Sequence, residues 1–325
     1  MKNAFRIILA VICILIGTRS TAQTRTPIRI MAYNVENLFD TKNDSLRNDD
    51  EYLSDGSNHW TYGRYLTKLS HISQVIAALG EWTPPAIIGL LEVETDSCLI
   101  QLKKWHLGKH YPYKTILIDG PDTRGIDPGI LYDTTRLQLV DYQAISICRS
   151  DSKWQTRDIL HCIFAKADTT DAQPSGLLHL LLCHFPSQRG GVAQSADKRE
   201  IARQVLYRAV DAILQADSTA LILAMGDYNS EPHDNLLPLL HNLMIPFAKA
   251  DRGTYKYHGV WSCLDQFYAS NALMPLLSEP QIFAPDWLLE ADPKYLGSKP
   301  YRTYIGPRYN GGYSDHLPIY IDLKW

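Results

Sequence analysis

Beyond its N-terminal stretch the chain has no apolar run long enough to cross a bilayer, which takes about 20 residues. It also lacks an excess of positive charge, with 32 Lys and Arg against 35 Asp and Glu and a formal charge of −3. Proteins that hold duplex DNA by phosphate neutralisation alone are usually basic. A chain of this balance that handles phosphates needs a cation to do it, or a local basic patch. Cysteine is scarce, with six in 325 residues, and no two stand at the C-x-x-C spacing of common zinc modules. No Pro/Gly/Ser-rich linker divides the chain, so its body is expected to form one domain. What it has in quantity is apolar side chains, 45% of the total. That suffices for a sizeable core and argues against global disorder.

The N-terminus has the anatomy of a cleaved export signal. Lys2 and Arg6 precede an apolar run from Ile7 to Ile16, followed by Gly17 and a small-residue site at Ser20-Thr21-Ala22. Residues 1–22 are expected to be removed, leaving residues 23–325 as the working domain in the periplasm or outside the cell. Cys13 lies inside the apolar run behind the bulky Ile12, which argues against a lipid anchor. Cleavage removes Lys2, Arg6 and Arg19 and no acid, leaving 29 basic and 35 acidic residues, a charge of −6. Export permits disulfides, but five cysteines remain, an odd number: Cys98, Cys148, Cys162, Cys183 and Cys263. Buried thiols, or one or two bridges, are expected.

Residues 28–34 alternate like a half-buried strand. Residues 40–60, rich in Asp, Asn and Ser, read as a long surface loop. Leu66, Leu69, Ile72, Val75, Ile76 and Leu79 recur at helical spacing, with Gly80 as a stop. Ala86 to Glu92 is an apolar run ending in an acid. Further strands are expected at 116–118, 129–132, 137–147 and 159–167. The second half repeats the opening. A strand from Leu177 to His184 is followed by a long helix from about Ala193 to Ala216, carrying Ile201, Val205, Ala209, Ala212 and Ile213 on one face. Ala220 to Asp227 is again an apolar run ending in an acid. Two strand–helix–strand units without sequence identity suggest two sheets packed face to face with helices outside, an α+β, four-layer α/β/β/α sandwich.

Polar residues stand where these apolar strands stop: Asn34, Glu36, Glu92, His184, Asp227, Asn229, Asp265 and Asp315-His316. A strand end is where a rigid sheet holds a side chain at the rim of a cleft. Phosphate-ester cleavage needs a hard cation on oxygen ligands, a base or water-orienting residue, and a positive group for the transition state or leaving oxygen. These residue types supply all three. Singly, each has a plainer explanation, such as a turn cap for Asn34 or a first solvated residue for Glu92. Asp265 is harder to dismiss, because an acid among apolar strand residues needs a partner if buried.

Read in order, Tyr33-Asn-Val-Glu-Asn-Leu-Phe39, Leu90-Leu-Glu-Val-Glu94, Cys183-His-Phe-Pro-Ser187, Met225-Gly-Asp-Tyr-Asn229, Leu264-Asp-Gln-Phe-Tyr268 and Ser314-Asp-His-Leu-Pro318 resemble the endonuclease/exonuclease/phosphatase superfamily. The resemblance runs from Ile28 to Trp325. Gly-Asp-x-Asn followed by a C-terminal Ser-Asp-His is its specific part. The opening motif is similar to that of bacterial proteins predicted to be extracellular nucleases. The resemblance implies a DNase I-like fold and a metal-dependent phosphoesterase. It implies Glu92 as the principal metal carboxylate, with Asn34 and Asp315 near the same ion and Glu36 contributing around it. Asp227 would activate water, Asn229 would hold a phosphate oxygen, and His316, oriented by Asp265, would donate to the phosphate. His184 would be an acid for the leaving oxygen and Arg157 a phosphate contact. Oxygen donors without a thiolate cluster suit Mg²⁺ or Mn²⁺. Gln266 and Tyr228 depart from the commoner residues at their positions.

Two segments bear on substrate. Pro186 to Gly191 has glycines that let backbone NH groups approach a phosphate, and Arg189 adds charge; a plain β-to-α connection accounts for it equally. Residues 295–313 interleave Tyr295, Tyr301, Tyr304, Tyr309 and Tyr313 with Lys299, Arg302 and Arg308. They suit either stacking on bases or a rigid tyrosine-packed lid. Nucleic acid is the leading expected substrate. A phospholipid headgroup or phosphorylated small molecule is the alternative, and a catalytically silent binding protein on the same fold is a third.

Overall fold

The computed structural model describes residues 26–81, 83–108, 111–149, 154–167, 176–188, 191–232 and 237–325. The leader read at residues 1–22 lies outside the described residues. The first half comprises β1 (Ile28–Leu38), α1 (Tyr62–Gly80), β2 (Ile87–Val93), α2 (Asp96–Gln101), β3 (Tyr113–Leu117) and β4 (Asp127–Asp133). There follow β5 (Leu137–Cys148), β6 (Gln155–Lys166), β7 (Leu178–His184), α3 (Val192–Ala216), β8 (Leu221–Asp227), β9 (His241–Asn242) and α4 (Ile245–Lys249). The last part holds β10 (Tyr255–Tyr257), β11 (Val260–Ser262), β12 (Asp265–Ala269) and β13 (Gln281–Ile282). It ends with β14 (Leu289–Ala291), β15 (Ser298–Pro300), β16 (Tyr304–Ile305), β17 (Arg308–Tyr309) and β18 (Ile319–Leu323).

Two six-stranded sheets dominate, in the orders β13-β18-β1-β2-β4-β3 and β5-β6-β7-β8-β12-β9. Each centres on one parallel pair, β1 with β2 and β7 with β8, flanked by antiparallel partners. A parallel pair needs a crossover, and α1 and α3 supply the two crossovers. The repeat read in sequence is thus a repeat of topology.

Strand alternation sorts the side chains into layers. Ile30, Ala32, Ile87 and Leu91 of the first sheet meet Leu180, Leu182, Leu223, Met225 and Phe267 of the second in a shared core. The outward set Met31, Tyr33, Ile88 and Leu90 packs on Tyr65, Leu69, Ile72 and Ile76 of α1. Leu181, Ile222, Ala224 and Tyr268 pack on Ala202, Leu206 and Val210 of α3. The architecture is therefore the α/β/β/α sandwich expected from the pattern. Gly89 lies where the sheets approach most closely: a Cβ there would stand 2.6 Å from Met225 Cε and 2.7 Å from Leu182 Cδ1.

Two local outcomes differ from the sequence reading, and the cysteines take the first of the two forms expected of them. β1 runs four residues past Asn34, with a register shift between Asn34 and Leu38. The 40–60 loop is pinned inward at its end by Trp60, fully buried, whose Nε1 donates to Phe39 O at 3.0 Å. All five cysteines after the leader are free thiols, Cys148 exposed and the others buried. Among the described residues no helix is long and apolar enough to cross a membrane.

Candidate active site

The alternation that builds the inter-sheet core also aims the polar strand ends. Asn34 continues the inward series Ile30, Ala32; His184 continues Leu180, Leu182; Asp227 continues Leu223, Met225; Asp265 opens the series Phe267, Ala269. In the second sheet His184 pairs with Asp227 and Asp227 with Asp265 in register, placing three polar side chains side by side. By strict alternation Glu92 would face outward. It has φ +66° at a register shift between Leu90 and Val93, a left-handed conformation unusual for a non-glycine residue. That twist turns its carboxylate inward, to 3.7 Å from His184 Nε2. Glu36, Asn37 and Asn229 also have positive φ, and such clustering is common where function over-determines the backbone. Gly226, at φ +131°, is required: a Cβ there would stand 2.0 Å from Cys183 O.

Asp227 is the hub. Its Oδ1 accepts Asn229 N at 2.8 Å, and its Oδ2 accepts Asn229 Nδ2 at 3.1 Å and Asn34 Nδ2 at 3.2 Å. The same Oδ2 stands 3.7 Å from His184 Nε2 and 3.8 Å from His316 Nε2. Burial, with Asp265 adding to it, lifts the Asp227 carboxyl to about 7, although the His316 charge pulls it down. His316 Nδ1 bonds Asp265 Oδ2 at 2.7 Å. Burial opposes a charge on this ring, but Asp265 and Asp227 outweigh it and hold His316 well above the usual histidine value. Two further contacts fix the pair. Thr254 Oγ1 accepts Asp265 N at 3.1 Å while its carbonyl accepts Leu317 N at 2.7 Å. Ser314 Oγ accepts His316 N at 3.1 Å and donates to Asn34 O at 2.7 Å.

Asn34, Glu92, His184, Asp227, Asn229, Asp265 and His316 are thus one cluster, and Asp315 flanks it. The partners of four residues bear on the roles expected of them. Glu36 was expected among the metal ligands. Its carboxylate instead accepts Thr303 N at 2.6 Å and Tyr304 N at 3.4 Å and pairs with Arg302 Nε at 3.3 Å, so it anchors the 302–304 segment. Burial, then Asp315, raises Glu36 to about 7. Asn229 was expected to hold phosphate; its Nδ2 donates to Phe185 O at 3.0 Å and to Asp227 Oδ2 at 3.1 Å, which fixes the Asp227 carboxylate. Arg157 was expected on phosphate; it is buried and donates to Asp122 Oδ2 at 2.8 Å, Phe185 O at 2.9 Å and His184 O at 3.4 Å. It holds the end of β7. His184 was expected as an acid; burial, then Arg157 and Arg124, hold its pKa well below the usual value. Arg189 lies outside the described residues.

Sequence reasoning passed over Lys68, Arg302 as a site residue, and Thr254. Lys68 is buried on α1, and its Nζ donates to Thr303 Oγ1 at 2.6 Å and Tyr313 O at 2.7 Å. Burial lowers it to about 8, against the attraction of Glu36. The available signal was a lysine on the apolar stripe of α1, between Tyr65 and Ile72. Arg302 joins Glu36 to Asp315, whose Oδ2 accepts Arg302 Nη2 at 3.0 Å.

No three His, Cys, Asp or Glu side chains among the described residues are grouped to hold a metal by themselves. An ion here would rest on Glu92 with oxygen from Asn34, Asp315, water and substrate. That fits Mg²⁺, which keeps several waters and takes one or two carboxylates. The charge balance agrees: five carboxyls, Glu36, Glu92, Asp227, Asp265 and Asp315, gather here, and two of them are driven up to about 7.

The fold is that of the DNase I-like sandwiches, hydrolases acting on phosphodiester bonds. The chain belongs to the Endonuclease/Exonuclease/phosphatase family, whose sequence model matches residues 29–325. No curated protein matches the sequence significantly. Among solved structures, the human Nocturnin catalytic domain with bound sulfate superposes with a TM-score of 0.55 at 15% identity, covering 91% of this chain and 93% of that one. A family protein from Bacteroides thetaiotaomicron gives 0.56 at 15%, covering 92% and 98%. D. rerio TDP2 complexed with a single-strand DNA product gives 0.52 at 17%, covering 91% and 98%.

Proposed function

We propose that this protein is an exported, divalent-metal-dependent phosphodiesterase that hydrolyses nucleic acid. The observation that carries the reading is the Asp227 carboxylate, fixed by two amide side chains and facing the charged His316–Asp265 pair. A bound Mg²⁺ or Mn²⁺ would supply neutralisation of the phosphate and polarisation of its P–O bonds. Glu92, Asn34 and Asp315 are the residues that would hold it. Asp227, lifted toward neutrality, takes the proton of an attacking water and aligns it for in-line displacement. His316, held protonated by Asp265, donates to a non-bridging oxygen where charge develops. His184 Nε2 stands 3.7 Å from a carboxylate oxygen of both Glu92 and Asp227 and so lies beside the base and the metal carboxylate. The metal ion, and not the acidic surface, meets the polyanion.

The DNA product bound to the zebrafish TDP2 structure supports nucleic acid as the substrate class. Export, with cleavage after Ala22, rests on the leader's anatomy. Mature protein incubated with plasmid DNA, RNA, sphingomyelin and inositol phosphates, with Mg²⁺ or EDTA, tests the reading. Nucleic acid cut only with the metal is expected. Turnover confined to sphingomyelin or inositol phosphates would move the substrate to the second class.

A further inference from the structure

The tyrosines of the 295–313 segment divide in two. Tyr301, Tyr304, Tyr309 and Tyr313 pack into the apolar cluster over the first sheet, as a lid would. Tyr295 does not, and 37% of it is exposed. It faces a feature absent from the motifs, the β10–β11 hairpin. Tyr257 at that hairpin's tip is 61% exposed, and its ring stacks on His258 at 4.0 Å and 14°. His258 in turn lies 5.6 Å from Tyr295. These rings line an open groove of about 200 Å³, together with Lys294, Lys299 and Arg302 and the ion-paired Asp292 and Asp315.

The groove is braced. Lys256 pairs with Asp292 at 3.2 Å and donates to Leu296 O at 2.9 Å and Ser298 O at 3.1 Å, tying the hairpin to the opposite wall. Gly259, at φ +86°, lets the tip close on Tyr295, where a Cβ would meet Tyr295 Cβ at 3.0 Å. Lys294 lies over the Tyr295 ring at 4.9 Å. The groove also leads to the chemistry. Tyr255 at the foot of the hairpin lies 5.0 Å from the His316 ring and bridges to it through the backbone. Arg302 spans from the groove to Asp315.

We propose that this groove is a base-stacking subsite for single-stranded nucleic acid, delivering the adjoining phosphate to the Asp227–His316 centre. The inference rests on the nucleic-acid reading above and names the form of substrate. Exposed rings with solvent-facing π surfaces beside cations are the pattern that holds unpaired bases and their backbone, whereas a duplex keeps its bases stacked on each other. A quaternary-ammonium headgroup also uses aromatic faces, but Lys294, Lys299 and Arg302 beside these rings disfavour it and suit a nucleic-acid backbone.

The test measures binding of fluorescein-labelled hexathymidylate in EDTA by anisotropy, alongside Mg²⁺-dependent hydrolysis of bis(p-nitrophenyl) phosphate, which needs no base pocket. Tyr257→Ala and Tyr295→Ala should each weaken oligonucleotide binding about tenfold, Tyr257→Phe should restore it, and all three should hydrolyse the small diester at the native rate. An abasic hexamer should bind the native protein weakly and be indifferent to the substitutions. Native-like oligonucleotide binding by both alanine variants, or equal binding of the abasic hexamer, would overturn the subsite. Wild-type protein that binds through these rings yet cuts neither the small diester nor the oligonucleotide with Mg²⁺ would support the groove and remove the enzyme reading.

Discussion

Asp227 Oδ2 accepts two side-chain amides and lies within 4 Å of two imidazoles, so its surroundings leave it little freedom except toward the cleft. Asp227→Asn keeps the shape and removes the base. Turnover should fall between about 10²- and 10⁴-fold, and the melting temperature should fall modestly, because the new amide NH₂ faces N–H donors where an oxygen accepted them. Steady-state rates with parallel calorimetry check both halves. Asp265→Asn should act through His316, costing about 10- to 100-fold in rate and lowering the imidazole pKa read by NMR. A different histidine pair should contribute to acid sensitivity. His161 Nε2 meets His179 Nδ1 at 3.1 Å on β6 and β7, and burial, then the neighbouring ring, lower His161 to about 4. A base depressed in the fold contributes stability that is fully present above its unfolded value near 6.5 and is lost as pH falls toward 4. On the order of 2–3 kcal/mol should disappear over that window. Thermal unfolding from pH 7 to 4 should show a steeper loss in the native protein than in His161→Gln.

The elements decide where those residues point. Gly226 is the clearest case, because both its positive φ and the 2.0 Å approach to Cys183 O exclude a side chain. Gly226→Ala should cost at least about 2 kcal/mol and take activity with it, since Asp227 is the next residue; melting curves and rates on the same preparation would show the two losses together. Much of this was legible beforehand. The apolar runs ending at Asn34, His184 and Asp227 gave both the strands and the face of each end residue, because alternation carries one parity from core to cleft. Glu92 was legible as a motif residue but not in its orientation, which depends on one left-handed backbone turn. Glu36, Asn229, Arg157 and His184 were placed in the right neighbourhood with roles that only hydrogen-bond partners can assign. The β10–β11 hairpin, three residues per strand, gave no periodic signal at all, and Lys68 looked like any helix lysine until its stripe was known.

At the scale of the whole molecule, two βαβ units set back to back bring the ends of β1, β2, β7 and β8 to one edge of the sandwich. Residues as distant as Asn34 and His316 meet there. The acidic chain repels polyanions at long range, so the proposed nuclease reading requires a cation at the centre and the small basic and aromatic groove beside it. Rising ionic strength should therefore weaken oligonucleotide binding with a shallow slope, since few phosphates are contacted; a titration from 50 to 300 mM salt measures that slope. The most direct test of the central claim is the Mg²⁺-dependent cleavage rate of a quenched fluorescent oligonucleotide by native protein, by native protein in EDTA, and by Asp227→Asn. The account predicts robust cleavage in the first and none above background in the other two. Cleavage that survives EDTA, or an Asp227→Asn rate near the native one, would contradict it.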